Sequence, residues 1–143
     1  MRLGNVYYMI LTMIRVFIAN AKEEERSAIR VLLLNLKAEV VGDASDWQTT
    51  LVKAPATNFN LLLVDWSLLP ADAVTSLSAM RRACSNAIIV VLTSYLDAHQ
   101  QAAQSAGADA FISKVEIPKR LADHLLAIFN NLDLSEATHP KKN

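Results

Sequence analysis

The chain has 143 residues and a mass of 15.7 kDa, enough for one domain that buries roughly 70% of its unfolded surface and too little for a catalytic domain with a separate effector domain. Lys plus Arg and Asp plus Glu each number 14, so the formal charge is zero and no global field gathers nucleic acid or an anionic membrane. At 52% hydrophobic and 20% charged the composition is that of a packed globule, and the single cysteine, Cys84, excludes an internal disulfide framework or a cysteine-based zinc cluster.

The first segment, MRLGNVYYMILTMIRVFIANA, combines Arg2, an apolar run from Val6 to Ala21 and the small-residue pattern Ala19-Asn20-Ala21, which are features of a secretory signal. Arg15 inside the run argues against a signal and against a membrane span, since a central Arg costs about 3 kcal/mol on insertion scales. The segment is therefore read as a first strand over Ile14 to Ala19, preceded by an extension at 1–12, with Met13 as an alternative start.

Residues 22–37 place Ile29, Leu32, Leu33 and Leu36 at helical spacing behind the acidic turn Glu23, Glu24 and Glu25, which predicts an amphipathic helix. Glu39 to Gly42 is a short β-prone stretch, and Ser45 or Asp46 caps a second helix that ends before Pro55. Leu61 to Val64 is a continuous apolar run just before Asp65, the pattern of a strand buried on both faces. Ala71 to Cys84 reads as a third helix, and Ala87 to Leu92 is again apolar and β-branched. Asp97 to Ala106 is Ala- and Gln-rich and stops at Gly107, and Ala110 to Ser113 makes a last strand. A final helix is expected from about Pro118 to Asn130, with Leu121, Leu125, Ile128 and Phe129 on one face and a polar tail over 131–143.

Five apolar strands alternating with five helices predict an α/β fold, a doubly wound five-stranded parallel sheet with helices on both faces. In such a sheet ligands collect beyond the carboxyl ends of the strands. The residues there are Asn20 and Ala21 after the first strand, Asp65 after the third, Thr93 and Ser94 after the fourth, and Lys114 after the fifth. A carboxylate, a hydroxyl and an ammonium around one point form a set able to take a phosphoryl group on Asp65, hydrogen-bond it through Thr93 and neutralise it through Lys114. Each residue alone has a plainer reading: Asp65 and Thr93 as loop caps, Phe111 as core. His99, His124 and His139 lack metal spacing and read as solvated, and Cys84 reads as inert.

The stretches IRVFIANAKEEERSAIRVLL, LLLVDWSLLP, IIVVLTS and GADAFISK resemble the receiver domain of bacterial two-component response regulators, a likeness extending over 13–130. The resemblance implies a flavodoxin-like sheet in the order 2-1-3-4-5, with Asp65 as phosphoacceptor, Thr93 and Lys114 as its conserved companions and Phe111 as an aromatic switch. It implies Mg²⁺ as cofactor, held by Asp65, by the backbone carbonyl of Ser67 and weakly by Asn20. It further implies a cytoplasmic signalling domain rather than an enzyme. A histidine kinase or phosphotransfer protein would be the donor and a downstream protein would read the output; no nucleic acid or membrane partner is expected, and a homodimer is left open.

The sequence departs from that family at two places. The acidic pair that normally follows the first strand is replaced by Asn20 and Ala21, which weakens Mg²⁺ binding because that ion favours carboxylates. The run KEEER at 22–26 reads first as a solvated helix start and only second as a source of a substitute acid, Glu23 or Glu24. Val115 stands where the family has a proline, which loosens the aim of Lys114. The competing function is a pseudo-receiver, the same fold serving as a phosphorylation-independent docking or dimerisation module. A Rossmann-type enzyme is disfavoured, because GxGxxG is absent and the chain has only 3 glycines.

Overall fold

A computed structural model describes residues 13–138; the expectations for 1–12 and 139–143, and for the side chain of Phe129, lie outside the described residues. The elements alternate as β1 (Arg15–Ala19), α1 (Glu23–Asn35), β2 (Glu39–Ala44), α2 (Trp47–Lys53), β3 (Leu61–Asp65), α3 (Ala73–Ala83), β4 (Ile88–Thr93), α4 (Leu96–Ser105), β5 (Ala110–Ser113) and α5 (Ile117–Thr138). All strand pairs are parallel, in the order β2-β1-β3-β4-β5, so the chain reverses its winding at β1 and β3. This is the flavodoxin-like arrangement expected above.

The period-two geometry of a strand explains why runs such as LLLVD and IIVVLT can be apolar throughout. Alternate residues of β1, β3 and β4 point to opposite layers, and every position of β3 and β4 is buried. Val16, Ile18, Leu61, Leu63 and Val90 face α1 and α5, where Ile29, Leu33, Leu121 and Leu125 meet them. Phe17, Leu62, Val64, Ile89 and Val91 face the other layer, packing with Trp47, Leu77, Met80 and Ala103 of α2, α3 and α4.

The helices begin where their caps place them. Asp46 accepts from the Thr49 amide at 2.7 Å, which settles the choice between Ser45 and Asp46, and Asp72 does the same for Thr75 at 3.1 Å. Gly107, at φ 97°, stops α4 in a conformation that suits a residue without Cβ. The last helix departs from expectation, running to Thr138 rather than ending near Asn130. No Gly or Pro interrupts the chain between Pro118 and Pro140, so nothing breaks the backbone ladder earlier. Arg15 sits at the exposed start of β1 and donates from Nε to the Asn58 carbonyl at 2.6 Å, a surface role that accounts for a charge in an apolar run.

The β1–β2 register shifts between Val16 and Phe17, leaving Val41 as an extra residue and Gly42 opposite Phe17. A Cβ on Gly42 would lie 2.9 Å from Phe17 Cε2, and the Phe17 ring is fully buried and cannot swing away. Gly42→Ala is therefore expected to destabilise the fold by about 1–3 kcal/mol through overpacking. Urea unfolding would measure it, and an unchanged midpoint would contradict the packing described.

Candidate functional site

The described chain buries four polar residues, Asn20, Thr50, Asp65 and Thr93, and among the described residues no buried side-chain polar atom is left without a partner. Thr50 is satisfied within α2, its hydroxyl donating to the Asp46 carbonyl at 2.8 Å. The other three lie at the carboxyl ends of β1, β3 and β4. Burying polar groups there costs free energy unless they are hydrogen-bonded, so their pairing defines the site.

Asp65 closes β3 and is 2% exposed. Its Oδ1 accepts from the Ser67 amide at 2.9 Å and the Ser67 hydroxyl at 2.7 Å, so it does cap the following turn. Its Oδ2 is ion-paired with Lys114 Nζ and accepts from Asn20 Nδ2 at 3.2 Å. Capping and ion pairing thus use different oxygens of one carboxylate. Lys114 follows β5, and its ammonium also meets Glu25 Oε1 at 2.9 Å. Of the three acids in the first turn of α1, Glu25 reaches the site, while Glu23 and Glu24 are exposed, as a solvated helix start implies.

Asn20 joins the two acids. Its Nδ2 donates to Glu25 Oε1 at 2.9 Å as well as to Asp65, while its Oδ1 accepts from the Lys22 amide at 2.9 Å. Two carboxylates demand a donor and an amide N–H demands an acceptor, so the network itself fixes which end of the Asn20 amide faces which group. Arg26 donates to the Asn20 carbonyl at 2.7 Å and holds the loop after β1.

This donor set bears directly on Mg²⁺, which needs a near-octahedral shell of oxygens. Here the β1 end offers amide hydrogens and the methyl of Ala21, and both Asp65 oxygens are engaged. Among the described residues no group of three or more His, Cys, Asp or Glu side chains is placed to hold a metal. The amide and hydroxyl of Ser67, the residue whose carbonyl the resemblance assigned to the metal, are both spent on Asp65. The residues present do not fit a Mg²⁺ ion; the Lys114 ammonium lies between the carboxylates instead.

Thr93 ends β4 and is buried, but its hydroxyl is directed to α4. Its Oγ1 accepts from the Tyr95 amide at 3.0 Å and lies 2.8 Å from His99 Nδ1. His99 stacks on Trp66 with ring centroids 4.9 Å apart, so the expectation of a solvated histidine is corrected. His124 is likewise engaged, 3.1 Å from Glu116. Asp65, Ser67, Thr93, Lys114, Lys22, Trp66, Ser94, Tyr95 and His99 line one opening of about 250 Å³. Phe111 lies outside it, half-buried against the layer of α3 and α4. Val115 is 80% exposed, and Lys114 is nonetheless aimed by its two carboxylates. Burial pushes the Cys84 thiol pKa up, in keeping with an inert side chain.

The ionisation states follow from these contacts. Burial alone raises the Asp65 pKa, but Lys114 and the Ser67 hydroxyl and amide outweigh it, and the carboxyl titrates below its ordinary value. Glu25 behaves alike, burial being overcome by Lys114 and Asn20. For Lys114 burial works downward, and Asp65 and Glu25 overcome it, raising its pKa. Depressed carboxyls give stabilisation that is present above their unfolded values, about 3.9 and 4.3, and lost as pH falls through the folded ones. The raised lysine gives stabilisation present below about 10.4 and lost as pH rises through its folded value. Urea midpoints should therefore be level near neutrality, falling in acid and in strong alkali. Asp65→Asn should make both limbs shallower, without abolishing the acid limb, because the caps Asp46 and Asp72 also titrate low through their bonds to Thr49 and Thr75. Limbs of unchanged slope in that variant would contradict the assignment.

The family model for the response regulator receiver domain matches residues 16–126. The chain belongs to that family. Among solved structures it is similar to the REC domain of AraT, a response regulator from Geobacillus stearothermophilus, at 25% identity over 85% of this chain and 97% of that one, with a TM-score of 0.71. It is also similar in fold to the non-phosphorylated receiver domain of the stress response regulator RcsB from Escherichia coli, at 22% identity, 82% and 94% coverage and a TM-score of 0.74. Against the Salmonella typhimurium RcsB response regulator, at 22% identity and a TM-score of 0.73, 82% of this chain aligns but it spans 60% of that protein's length. No curated protein matches the sequence. Receiver domains are signalling modules of two-component systems that exchange contacts with kinases or phosphotransfer proteins and with downstream effectors. No helix among the described residues is long and apolar enough to cross a membrane.

Proposed function

We propose that Asp65 is the phosphoacceptor of this receiver and that its donor is a phosphohistidine on a histidine kinase or phosphotransfer protein. The observation that carries the reading is the meeting of three strand ends: the buried carboxylate of Asp65, the ammonium of Lys114 and the side chain of Thr93 border one opening. In the transfer, an Asp65 oxygen forms a bond to phosphorus as the phosphorus–nitrogen bond breaks, and the bonding pair leaves with the donor imidazole. Lys114 stabilises the charge on the phosphoryl oxygens and Thr93 supplies a hydroxyl to them. Lys22, at the rim of the opening, adds a second ammonium. Asn20 turns neutral N–H groups toward Asp65 and Glu25 where the family has an acid, so the ammonium groups carry the charge stabilisation in this transfer.

The new charge acts on the surroundings of Asp65. It draws Lys114 and Thr93 toward the phosphoryl group and shifts α4, β5 and Phe111 between two packings, which a downstream protein reads. Incubation with a small phosphodonor, followed by intact mass spectrometry, tests the reading. The wild type should gain one phosphoryl group and Asp65→Ala none; a wild type that stays unmodified overturns the proposal.

One observation favours a second reading, a docking module independent of phosphorylation. Lys114 is already paired with both Asp65 and Glu25, so its charge is met without any added group. A phosphodonor that leaves Asp65 unmodified, in a protein that still binds its partner, selects that reading.

A further inference from the structure

Thr93 has its hydroxyl engaged before any phosphoryl group arrives. Its oxygen takes the Tyr95 N–H at 3.0 Å, and the remaining hydrogen bond runs to His99 Nδ1 at 2.8 Å. With Nδ1 bare, Thr93 donates its one proton to His99; with Nδ1 protonated, the Thr93 oxygen takes a second N–H, and in either tautomer the hydroxyl oxygen is tied to α4. The imidazole is itself held on both sides, stacked on Trp66 at 4.9 Å and 21° and met edge-on by Tyr95 at 5.9 Å and 80°. Trp66 is the residue directly after Asp65, and His99 is borne by α4. His99 therefore bridges the β3 end, the β4 end and α4.

We propose that His99 is a positioning residue for Thr93: it holds the hydroxyl toward α4, and a phosphoryl group on Asp65 must take Thr93 from it. The proposal rests on the phosphoacceptor reading for its second half only. Surrender of Thr93 removes one of the contacts that fix His99, so the exchange of partners passes the event at Asp65 to α4 and to the Trp66 stack. The cost of breaking the Thr93–His99 bond opposes phosphorylation and lowers the occupancy of the phosphorylated state.

Two substitutions separate the hydrogen bond from the stack. His99→Phe keeps a ring against Trp66 and removes the partner of Thr93; His99→Asn keeps a polar atom near the place of Nδ1 and removes the stack. In the full chain without phosphodonor, three-bond NMR couplings report the Thr93 side-chain rotamer. One rotamer is expected in the wild type and in His99→Asn, and averaging in His99→Phe. With a small phosphodonor, His99→Phe should reach a ratio of phosphorylated to free Asp65 roughly fivefold above wild type, the scale of one net hydrogen bond.

An unchanged Thr93 rotamer in His99→Phe overturns the proposal, as does an unchanged ratio in a protein whose Asp65 is labelled. If the wild type is not labelled at all, the phosphoacceptor reading falls, and the rotamer measurement alone decides whether His99 holds Thr93.

Discussion

Replacing Lys114 by Met should lower the unfolding free energy by about 3 kcal/mol at pH 7, because it leaves the carboxylates of Asp65 and Glu25 close together with no cation between them. The Lys114 side chain is 19% exposed and that of Asp65 3%, so the pair is shielded well enough for a cost far above that of a surface ion pair. The methionine stem preserves packing, which makes the loss electrostatic. Two further results follow from the same cause. The deficit should shrink as pH falls below about 5, where the unpaired acids take up protons. Adding Asp65→Asn to Lys114→Met should restore most of the stability, since removing both partners of a buried pair costs much less than removing one. Chemical denaturation of the single and double variants checks all three, and a single-variant loss below about 0.5 kcal/mol, the range of ordinary surface changes, would contradict the account.

The second large effect concerns metal. Asn20→Asp puts a third carboxylate beside Asp65 and Glu25 in place of an N–H donor. Without divalent cation the variant should be less stable than wild type, because like charges face one another and two hydrogen bonds are lost. With Mg²⁺ it should gain affinity by roughly 10-fold or more, since metal sites respond on that scale even to a lost outer partner. Trp66, next to Asp65 in the chain, reports the binding by its fluorescence. Wild-type emission should not change with Mg²⁺, and the variant should show a saturable change. Equal Mg²⁺ affinity in the two proteins would contradict the reading of Asn20 as the residue that closes the site to metal.

The sheet was legible because β3 and β4 carry unbroken apolar runs that only a doubly covered strand can bury. Asp65, Thr93 and Lys114 were legible for a related reason: each ends or follows such a run, and parallel topology gathers those ends. What the linear reading missed were the azimuths of two helix positions. Glu23, Glu24 and Glu25 look equivalent as an acidic first turn, yet successive residues turn by about 100° and only one faces the strand ends. Glu25 lies four residues before Ile29 and eight before Leu33, the buried stripe of α1, and that spacing was available in the sequence. His99 is the same case on α4, four residues before Ala103, which is 1% exposed, and seven before Ala106, which is 3% exposed. The small side chains of that stripe gave a weak apolar signal, so the histidine passed as a surface residue. The pairing of Lys114 with Glu25 could not be read at all, since the two are brought together only by the sheet order.

The loss of the acidic pair after β1 has a structural answer in this chain. An amide and a lysine do the work of holding two carboxylates together, and α1 supplies the second of those carboxylates. Such a site remains charged, ordered and open on the side of Trp66 and Lys22. The phosphoacceptor reading and the docking reading thus differ in one chemical event at one atom pair, the bond between an Asp65 oxygen and phosphorus.

Borohydride trapping tests that event directly. The protein is incubated with a small phosphodonor, reduced at once with borohydride, and digested for peptide mass spectrometry. Reduction converts an aspartyl phosphate to homoserine, so the peptide containing residue 65 should carry homoserine at that position, and the signal should vanish in Asp65→Ala and fall sharply in Lys114→Met. An unmodified Asp65 in the wild type, or homoserine at another aspartate, would contradict the account.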